Sequence, residues 1–293
     1  MKILVIGASG LVGGNCLVFF KEKGWEVVGT HLSFSENQTI YLDTSDIDSA
    51  LNEAYFNLSF IPNVIVHCAA LTNVDYCEQH EEESYKKTVA SAKNVLVLAK
   101  NYGAKLVYIS TDYVFDGKNG PYIESDIPSP LGIYGKHKLE AEELVKNELE
   151  DYLVLRVTNV YGDEARGKNF ISRIINNTLS NKVLELPVDQ FATPINAKDI
   201  AKVIYLLVMD NKKGIYHLGS TDYFNRYHLA YKIKKSVNTT ELTLIPKYTN
   251  ELKQPAQRPL KGGLLSFKFL TEYPDFIFSN VDDYLSDKIQ QVK

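Results

Sequence analysis

Tyr134 and Lys138 stand four residues apart in SPLGIYGKHKLEAE, at what reads as the first turn of a helix. Residues at this spacing share one helix face with Cβ atoms roughly 5–6 Å apart, so an ammonium can sit beside a phenol. A positive neighbour favours the phenolate and lowers a pKa that is otherwise about 10, which makes tyrosine a usable general acid near neutral pH. Upstream, Ser110 and Thr111 follow the apolar run KLVYI. Hydroxyls at the carboxyl end of a strand lie where open α/β sheets bind their ligands. A Tyr-x-x-x-Lys pair alone is usually an exposed helix face, so the elements around it decide its meaning.

The chain has 293 residues, 45% hydrophobic and 23% charged, ordinary for a soluble enzyme with one large or two intimate domains. A net charge of -4 and a pI near 5.9 offer no basic field for nucleic acid. The opening MKILVIGASG lacks the long apolar core and cleavage site of a signal peptide, and no apolar run approaches the roughly 20 residues of a membrane span. A cytoplasmic protein without nucleic-acid or membrane partners is expected. Cys16, Cys68 and Cys77 are then expected as reduced thiols. His67, Cys68, Cys77 and His80 invite a metal, but His67 and Cys68 are adjacent on an expected strand and point to opposite faces, so none is expected.

The N-terminus offers a dinucleotide site. Lys2–Ile6 reads as a strand, followed by Gly7, Gly10 and Gly13, with Ser9 and Leu11 in the same turn, and then an apolar-periodic helix to about residue 23. Such a glycine turn lets the backbone approach a pyrophosphate and aims a helix N-terminus at it. At the end of the next strand, residues 26–30, an acidic residue would bind the adenine ribose of NAD. Here the chain runs through Thr30, His31, Leu32 and Ser33 without a carboxylate. That leaves room for the extra phosphate of NADP, to which His31 or Ser33 could donate, although no arginine clamps it there. NADPH is therefore the expected cofactor, with NADH still acceptable.

A third strand at 41–43 would bring Asp43 and Thr44 near the adenine, and Pro62 breaks the helix before a fourth strand at 63–69. Beyond it Ala69, Ala70 and Thr72 permit close cofactor contact. A helix over about 82–102 leads to the strand ending at Ser110. Alternation of strand and helix predicts a parallel, doubly wound Rossmann-type α/β sheet with right-handed crossovers. In that architecture the glycine turn holds a dinucleotide, and Lys138 can reach the nicotinamide ribose while tuning Tyr134.

After a sixth strand at 152–157 the pattern loosens into the loop YGDEARGKNF, a helix over 170–181, the strand VLELP, an amphipathic helix within DQFATPINAKDIAKVIYLLV, and the strand GIYHLG. The expected division is an NAD(P)-binding domain at 1–157 with a later return at about 195–220. A smaller mixed α/β substrate-binding region would comprise 158–194 and 221–293.

Together these segments resemble the extended short-chain dehydrogenases, and within them the dTDP-4-dehydrorhamnose reductases. The resemblance runs through GASGLVG, HCAALTNVD, ISTDYVFDG, SPLGIYGKHKLEAE, LRVTNVYG, KNF, DQFATPINAKDIA, GIYHLGS and QRPLKGGLLSFKFL. It implies hydride transfer from NADPH or NADH to the C4 ketone of a nucleotide-linked 4-keto-6-deoxy sugar, in deoxysugar and cell-surface polysaccharide synthesis. Tyr134 would protonate the developing alkoxide, Thr111 would hydrogen-bond the same oxygen, and Lys138 would bind the ribose. Tyr113 would line the sugar pocket with Thr72 and Asn159, while Asn169 and Arg258 would hold the nucleotide and diphosphate, a task suited to a guanidinium's fork.

Three departures stand out. Asn159 occupies a position where these reductases commonly have tryptophan, and Thr88 one where they commonly have asparagine. GGNCLVFF lacks the acidic residue of the magnesium-linked dimers, so a homodimer is compatible with the chain but not implied. The same signature resembles the regulatory beta subunit of methionine adenosyltransferase, which binds NADP as an interaction module and has serine for the threonine of STDYVFDG. A sugar-nucleotide epimerase or dehydratase is a third reading. Dehydratases carry Asp-Glu where this chain has Asp112-Tyr113, which favours simple reduction, and intact Thr111, Tyr134 and Lys138 favour an enzyme.

Overall fold

A computed structural model describes residues 1–36, 38–46, 48, 58–178, 182–238 and 241–292. The strands β1 (Lys2–Ile6), β4 (Val64–His67), β5 (Lys105–Thr111) and β6 (Tyr152–Val157) are near-continuous runs of Val, Ile and Leu, almost wholly buried. That is the composition a parallel sheet covered on both faces requires. With β2 (Glu26–His31), β3 (Thr39–Tyr41) and β9 (Gly214–Leu218) they form a seven-stranded sheet in the order β3-β2-β1-β4-β5-β6-β9. Every pairing in it is parallel. The order reverses between β1 and β4, the point at which a doubly wound sheet opens a crevice for ligands.

Helix α1 (Leu11–Glu22) and helix α7 (Ala197–Met209) pack together over one face, burying Phe20, Ile200 and Ile204 against Val5, Val107 and Leu155. The other face is covered by α4 (Ser91–Tyr102) and α5 (Ile133–Glu148), through Val95, Ala99, Ala141 and Val145. Preceding them are the short α2 (Val74–Gln79) and α3 (Glu81–Tyr85). A smaller cluster joins α6 (Phe170–Asn177), α8 (Arg226–Val237) and α10 (Val281–Val292) through Ile171, Ile174, Leu229, Ile233 and Val281. Around it β7 (Val183–Pro187) pairs in parallel with β11 (Thr243–Lys247), and β8 (Phe191–Ala192) pairs antiparallel with β10 (Phe224–Asn225). Among the described residues no helix is long and apolar enough to cross a membrane.

Local chemistry moves two elements from their expected places. β3 begins and ends two residues before the expected 41–43, because Asp43 Oδ1 accepts from Ser45 N at 2.8 Å and draws the chain into a turn. The expected helix over 82–102 is continuous in path but not in type: Lys86–Ala90 widens into a π turn between α3 and α4 and buries Thr88. The helix expected before Pro62 lies outside the described residues, as do residues 179–181 of the helix expected to reach 181.

A buried ion pair binds the layers. Arg156 of β6 donates to Glu142 of α5 at 2.7 Å, with side chains only 3% and 1% exposed. Ser110 donates to the same carboxylate. Arg156 Nη1 donates to His217 Nε2 at 3.2 Å, and His217 Nδ1 donates to the Tyr122 carbonyl at 2.9 Å. Burial pushes His217 down to about 3, which keeps the ring neutral and able to accept. Arg156→Met strands the Glu142 carboxylate and is expected to cost about 3–5 kcal/mol in urea unfolding. Lys146→Ala, at the exposed Lys146–Glu143 pair, should change stability by less than about 0.5 kcal/mol.

Candidate active site

The glycine turn forms a cradle that side chains would fill. Gly7 takes φ +82°, and a Cβ there would lie 2.9 Å from Ala69 N; a Cβ on Gly13 would lie 2.3 Å from Gly7 O. Thr30 secures the turn from β2, its Oγ1 accepting from Gly7 N at 3.2 Å and its carbonyl from Ala8 N at 2.8 Å. No side chain caps α1 at Gly10, so the start of this 12-residue helix faces the crevice with its own N–H groups. Ser9 and Leu11 are half-buried beside it, and Ala69 and Ala70 complete the wall at the end of β4, with Thr72 exposed beyond them. These residues fit the pyrophosphate of a dinucleotide.

At the end of β5, the Thr111 hydroxyl accepts from Tyr113 N at 3.2 Å, donates to Asp112 Oδ1 at 3.4 Å, and stands close enough to the Tyr134 phenol to moderate its pKa. The rings of Tyr113 and Tyr134 meet edge to face, 5.6 Å between centroids. Lys138, 3% exposed, donates from Nζ to the Ile109 carbonyl at 2.6 Å and lies 4.1 Å from the centroid of the Tyr108 ring. Burial brings Lys138 down to about 7, against the pull of Glu142. Desolvation raises the Tyr134 phenol, and the nearby Thr111 hydroxyl offsets only part of that. The expectation that Lys138 lowers the Tyr134 pKa is therefore reversed in this structure. The ammonium turns to a backbone carbonyl, it is itself partly neutral near pH 7, and desolvation outweighs the remaining charge. The phenol keeps its proton, the form a general acid needs.

The other expected site residues divide. Arg258 donates to Asp75 at 2.6 Å through Nη2, while its buried Nη1 has no partner. A buried, unsatisfied guanidinium nitrogen is a vacant donor for an anion. It forms one wall of a cleft of about 500 Å³ that also includes Leu131, Asp189, Tyr248 and Gln254. Asn169 is occupied as the cap of α6: Oδ1 accepts from Ser172 N at 3.1 Å, and Nδ2 donates to Gly162 O, Glu164 and Ser172. Thr44 turns its hydroxyl to Ser91 at 2.6 Å, joining the β3 loop to α4. Ser33 is exposed, and Asp43 is held by Ser45. His31 bonds Thr39 at 2.8 Å.

Two site residues escaped sequence reasoning. Asp112, next to Thr111, is buried and accepts from Thr158 Oγ1 at 2.7 Å and Gly263 N at 3.2 Å, so the strand end is tied to the returning segment QRPLKGGLL. Burial raises its pKa. Arg226 opens α8, donates to Asn159 Oδ1, and stacks 4.9 Å over the Phe170 ring. Asn159 holds φ +40°, a left-handed conformation that asparagine tolerates better than most residues. STDYVFDG marked Asp112 as a neighbour of the site; nothing in FNRYHLA marked Arg226.

Fold and site together define a Rossmann-type protein with a Thr-Tyr-Lys constellation beside a dinucleotide cradle. The chain belongs to the family described as RmlD substrate binding domain, whose model matches residues 1–281. It is similar to the methionine adenosyltransferase 2 subunit beta of Xenopus tropicalis, 34% identical over 265 residues, which are 88% of this chain and 78% of that protein. It is 29% identical to the spore coat polysaccharide biosynthesis protein SpsK of Bacillus subtilis over 259 residues, 88% of this chain and 87% of the relative. Among solved structures, a dTDP-4-dehydrorhamnose reductase of Clostridium acetobutylicum superposes with a TM-score of 0.84 at 32% identity, covering 94% of each chain. The dTDP-4-dehydrorhamnose reductase of Bacillus anthracis in complex with NADP superposes with a TM-score of 0.86 at 27% identity, covering 98% of this chain and 97% of that one.

The Lys138 shift has a measurable consequence. With a folded pKa near 7 and an ordinary value of 10.5, the unfolded chain binds more protons between those limits, so stability rises with pH across that window. Urea unfolding of the wild type and Lys138→Met from pH 6.5 to 10 should show the wild type gaining relative to the variant as pH increases. A constant difference would contradict the assigned burial cost.

Proposed function

We propose that this chain is an NADPH-dependent reductase of a nucleotide-linked 4-keto-6-deoxy sugar. The observation that carries the reading is the Tyr134–Lys138 row of α5, anchored by Lys138 to the Ile109 carbonyl beside Thr111 at the end of β5, with burial keeping the phenol protonated. NADPH, when bound, supplies a hydride to C4 of the sugar. Tyr134 donates its proton to the C4 oxygen as negative charge develops there, and Thr111 hydrogen-bonds that oxygen and orients the phenol. Lys138, fixed to the Ile109 carbonyl, places a donor toward the nicotinamide ribose. Asn159 and Arg226 form the polar wall for the sugar with Tyr113. Arg258 offers its unpartnered Nη1 to the diphosphate, and the adjoining cleft takes the nucleoside.

Residues 1–157 with the return at 195–220 hold the cofactor on this reading, while 158–194 and 221–293 recognise the substrate. The NADP bound by the Bacillus anthracis relative supports the cofactor, and the two reductase structures support the reaction class. A cofactor-binding regulatory subunit is the second reading, favoured by the 34% identity to methionine adenosyltransferase 2 subunit beta. It has no need of an intact acid.

A panel of nucleotide-linked 4-keto sugars, followed by loss of reduced-nicotinamide absorbance, separates the two. Turnover is expected with at least one member of the panel. Tyr134→Phe should lower that turnover at least about a hundredfold while leaving NADPH affinity largely unchanged. NADPH binding without any turnover would instead establish the regulatory reading.

A further inference from the structure

We infer that Arg166 selects NADPH over NADH by placing its guanidinium on the adenosine 2′-phosphate, an inference that rests on the cofactor reading above. β2 ends at His31 with no carboxylate to take the ribose hydroxyls of NAD, and its loop contains no arginine. The fold brings one from elsewhere. Arg166 lies between β6 and α6, and its guanidinium carbon stands 5.5 Å from the centroid of the Phe34 ring, just beyond Ser33. Phe34 is 40% exposed, an apolar face left open at the edge of the crevice. A guanidinium laid over such a face is held in plane while its donor edges stay free.

The loop carrying Arg166 is anchored on both sides. The Asp163 carbonyl accepts from Asn15 Nδ2 of α1 at 2.9 Å, and the Asp163 carboxylate binds Tyr284 at 3.0 Å and Lys288 at 2.5 Å. Glu164 accepts from Asn169 Nδ2 at 2.9 Å and from its backbone N at 2.5 Å. The two acids nearest in sequence to Arg166 are thus committed to other partners. Among the described residues no carboxylate lies within ion-pair distance of its guanidinium.

The alternatives at the end of β2 are weaker. Thr39 Oγ1 donates to the Glu36 carbonyl at 2.7 Å, so His31 Nδ1, 2.8 Å from the same oxygen, must carry a hydrogen and donate. With that N–H committed to Thr39, at most Nε2 of the His31 ring is left for a ligand. Ser33 supplies one hydroxyl. Arg166 supplies a permanent charge and two parallel donors, the geometry that phosphate favours.

The test uses the full chain and calorimetric titration of wild type, Arg166→Leu and Arg166→Lys with four probes: NADPH, NADH, adenosine 2′,5′-bisphosphate and ADP. Arg166→Leu is expected to weaken NADPH and the 2′,5′-bisphosphate at least about tenfold, with NADH and ADP within about twofold of wild type. Arg166→Lys should fall between, since it keeps charge but not the fork. Thermal melting of each variant checks that the fold is retained. Equal losses for NADPH and NADH, or no loss, would overturn the assignment to the 2′-phosphate while leaving the cofactor reading in place. A wild-type chain that binds none of the four would overturn both.

Discussion

One face of helix α5 meets three consecutive residues of β5, and the rest of the site depends on that contact. Tyr134, Lys138 and Glu142 are spaced four apart and so lie in one row along the helix. Glu142 takes the Ser110 hydroxyl and Lys138 the Ile109 carbonyl, and Tyr134 comes under the influence of the Thr111 hydroxyl next in line. The Glu142–Arg156 pair locks the rotation of the helix about its axis, because an unpartnered carboxylate at this depth would cost several kcal/mol. With rotation fixed, the phenol and the ammonium are presented at the strand end without help from loops. The glycine cradle is set against the same sheet by contacts as tight, Gly13 against Gly7 and Gly7 against Ala69. Cofactor cradle and acid are thereby held in one frame.

Desolvation, rather than the attraction of unlike charges, sets the protonation states in this row. Burial raises Tyr134 and lowers Lys138, so both neutral forms gain. A phenol held this way surrenders its proton only to a strongly basic oxygen. A ketone oxygen is no such base, but the alkoxide that develops during hydride transfer is. The bond strengthens as charge builds, which is differential stabilisation of the transition state and not of the bound ketone.

Much of this frame was legible in the amino-acid sequence. β1 and β6 fall where continuous apolar runs place them, because two-sided burial writes itself into composition. The cradle and the Tyr134–Lys138 row were legible because each depends on residues close together in the chain. What failed to show depends on side chains choosing partners. Asp43 ended β3 early by bonding Ser45, and Asn169 and Thr44 spent their polar atoms on a helix cap and a loop. The π turn at Lys86–Ala90 has no sequence period to announce it. Arg226 meets Asn159, and Arg166 meets Phe34, from far segments, and no spacing rule announces either contact.

Asn159 shows how backbone and side chain jointly set the wall that the proposed function assigns to the sugar. Its φ of +40° would strain a bulky aromatic residue, so the tryptophan common among the reductases this chain resembles does not fit this loop as it is folded. Arg226 instead bonds Asn159 and stands 4.9 Å over the Phe170 ring. On the proposed function, a charged, hydrogen-bonding surface would meet the sugar in place of an apolar platform. Such a wall would discriminate more strongly than an indole, because a sugar lacking the matching hydroxyl would leave its donors unpaired, whereas a surplus methylene costs an apolar pocket little. The proposed acid and the proposed sugar wall therefore belong to separate elements, α5 with β5 on one side and the β6 loop with α8 on the other. The second pair can vary while the row that moves the proton stays fixed.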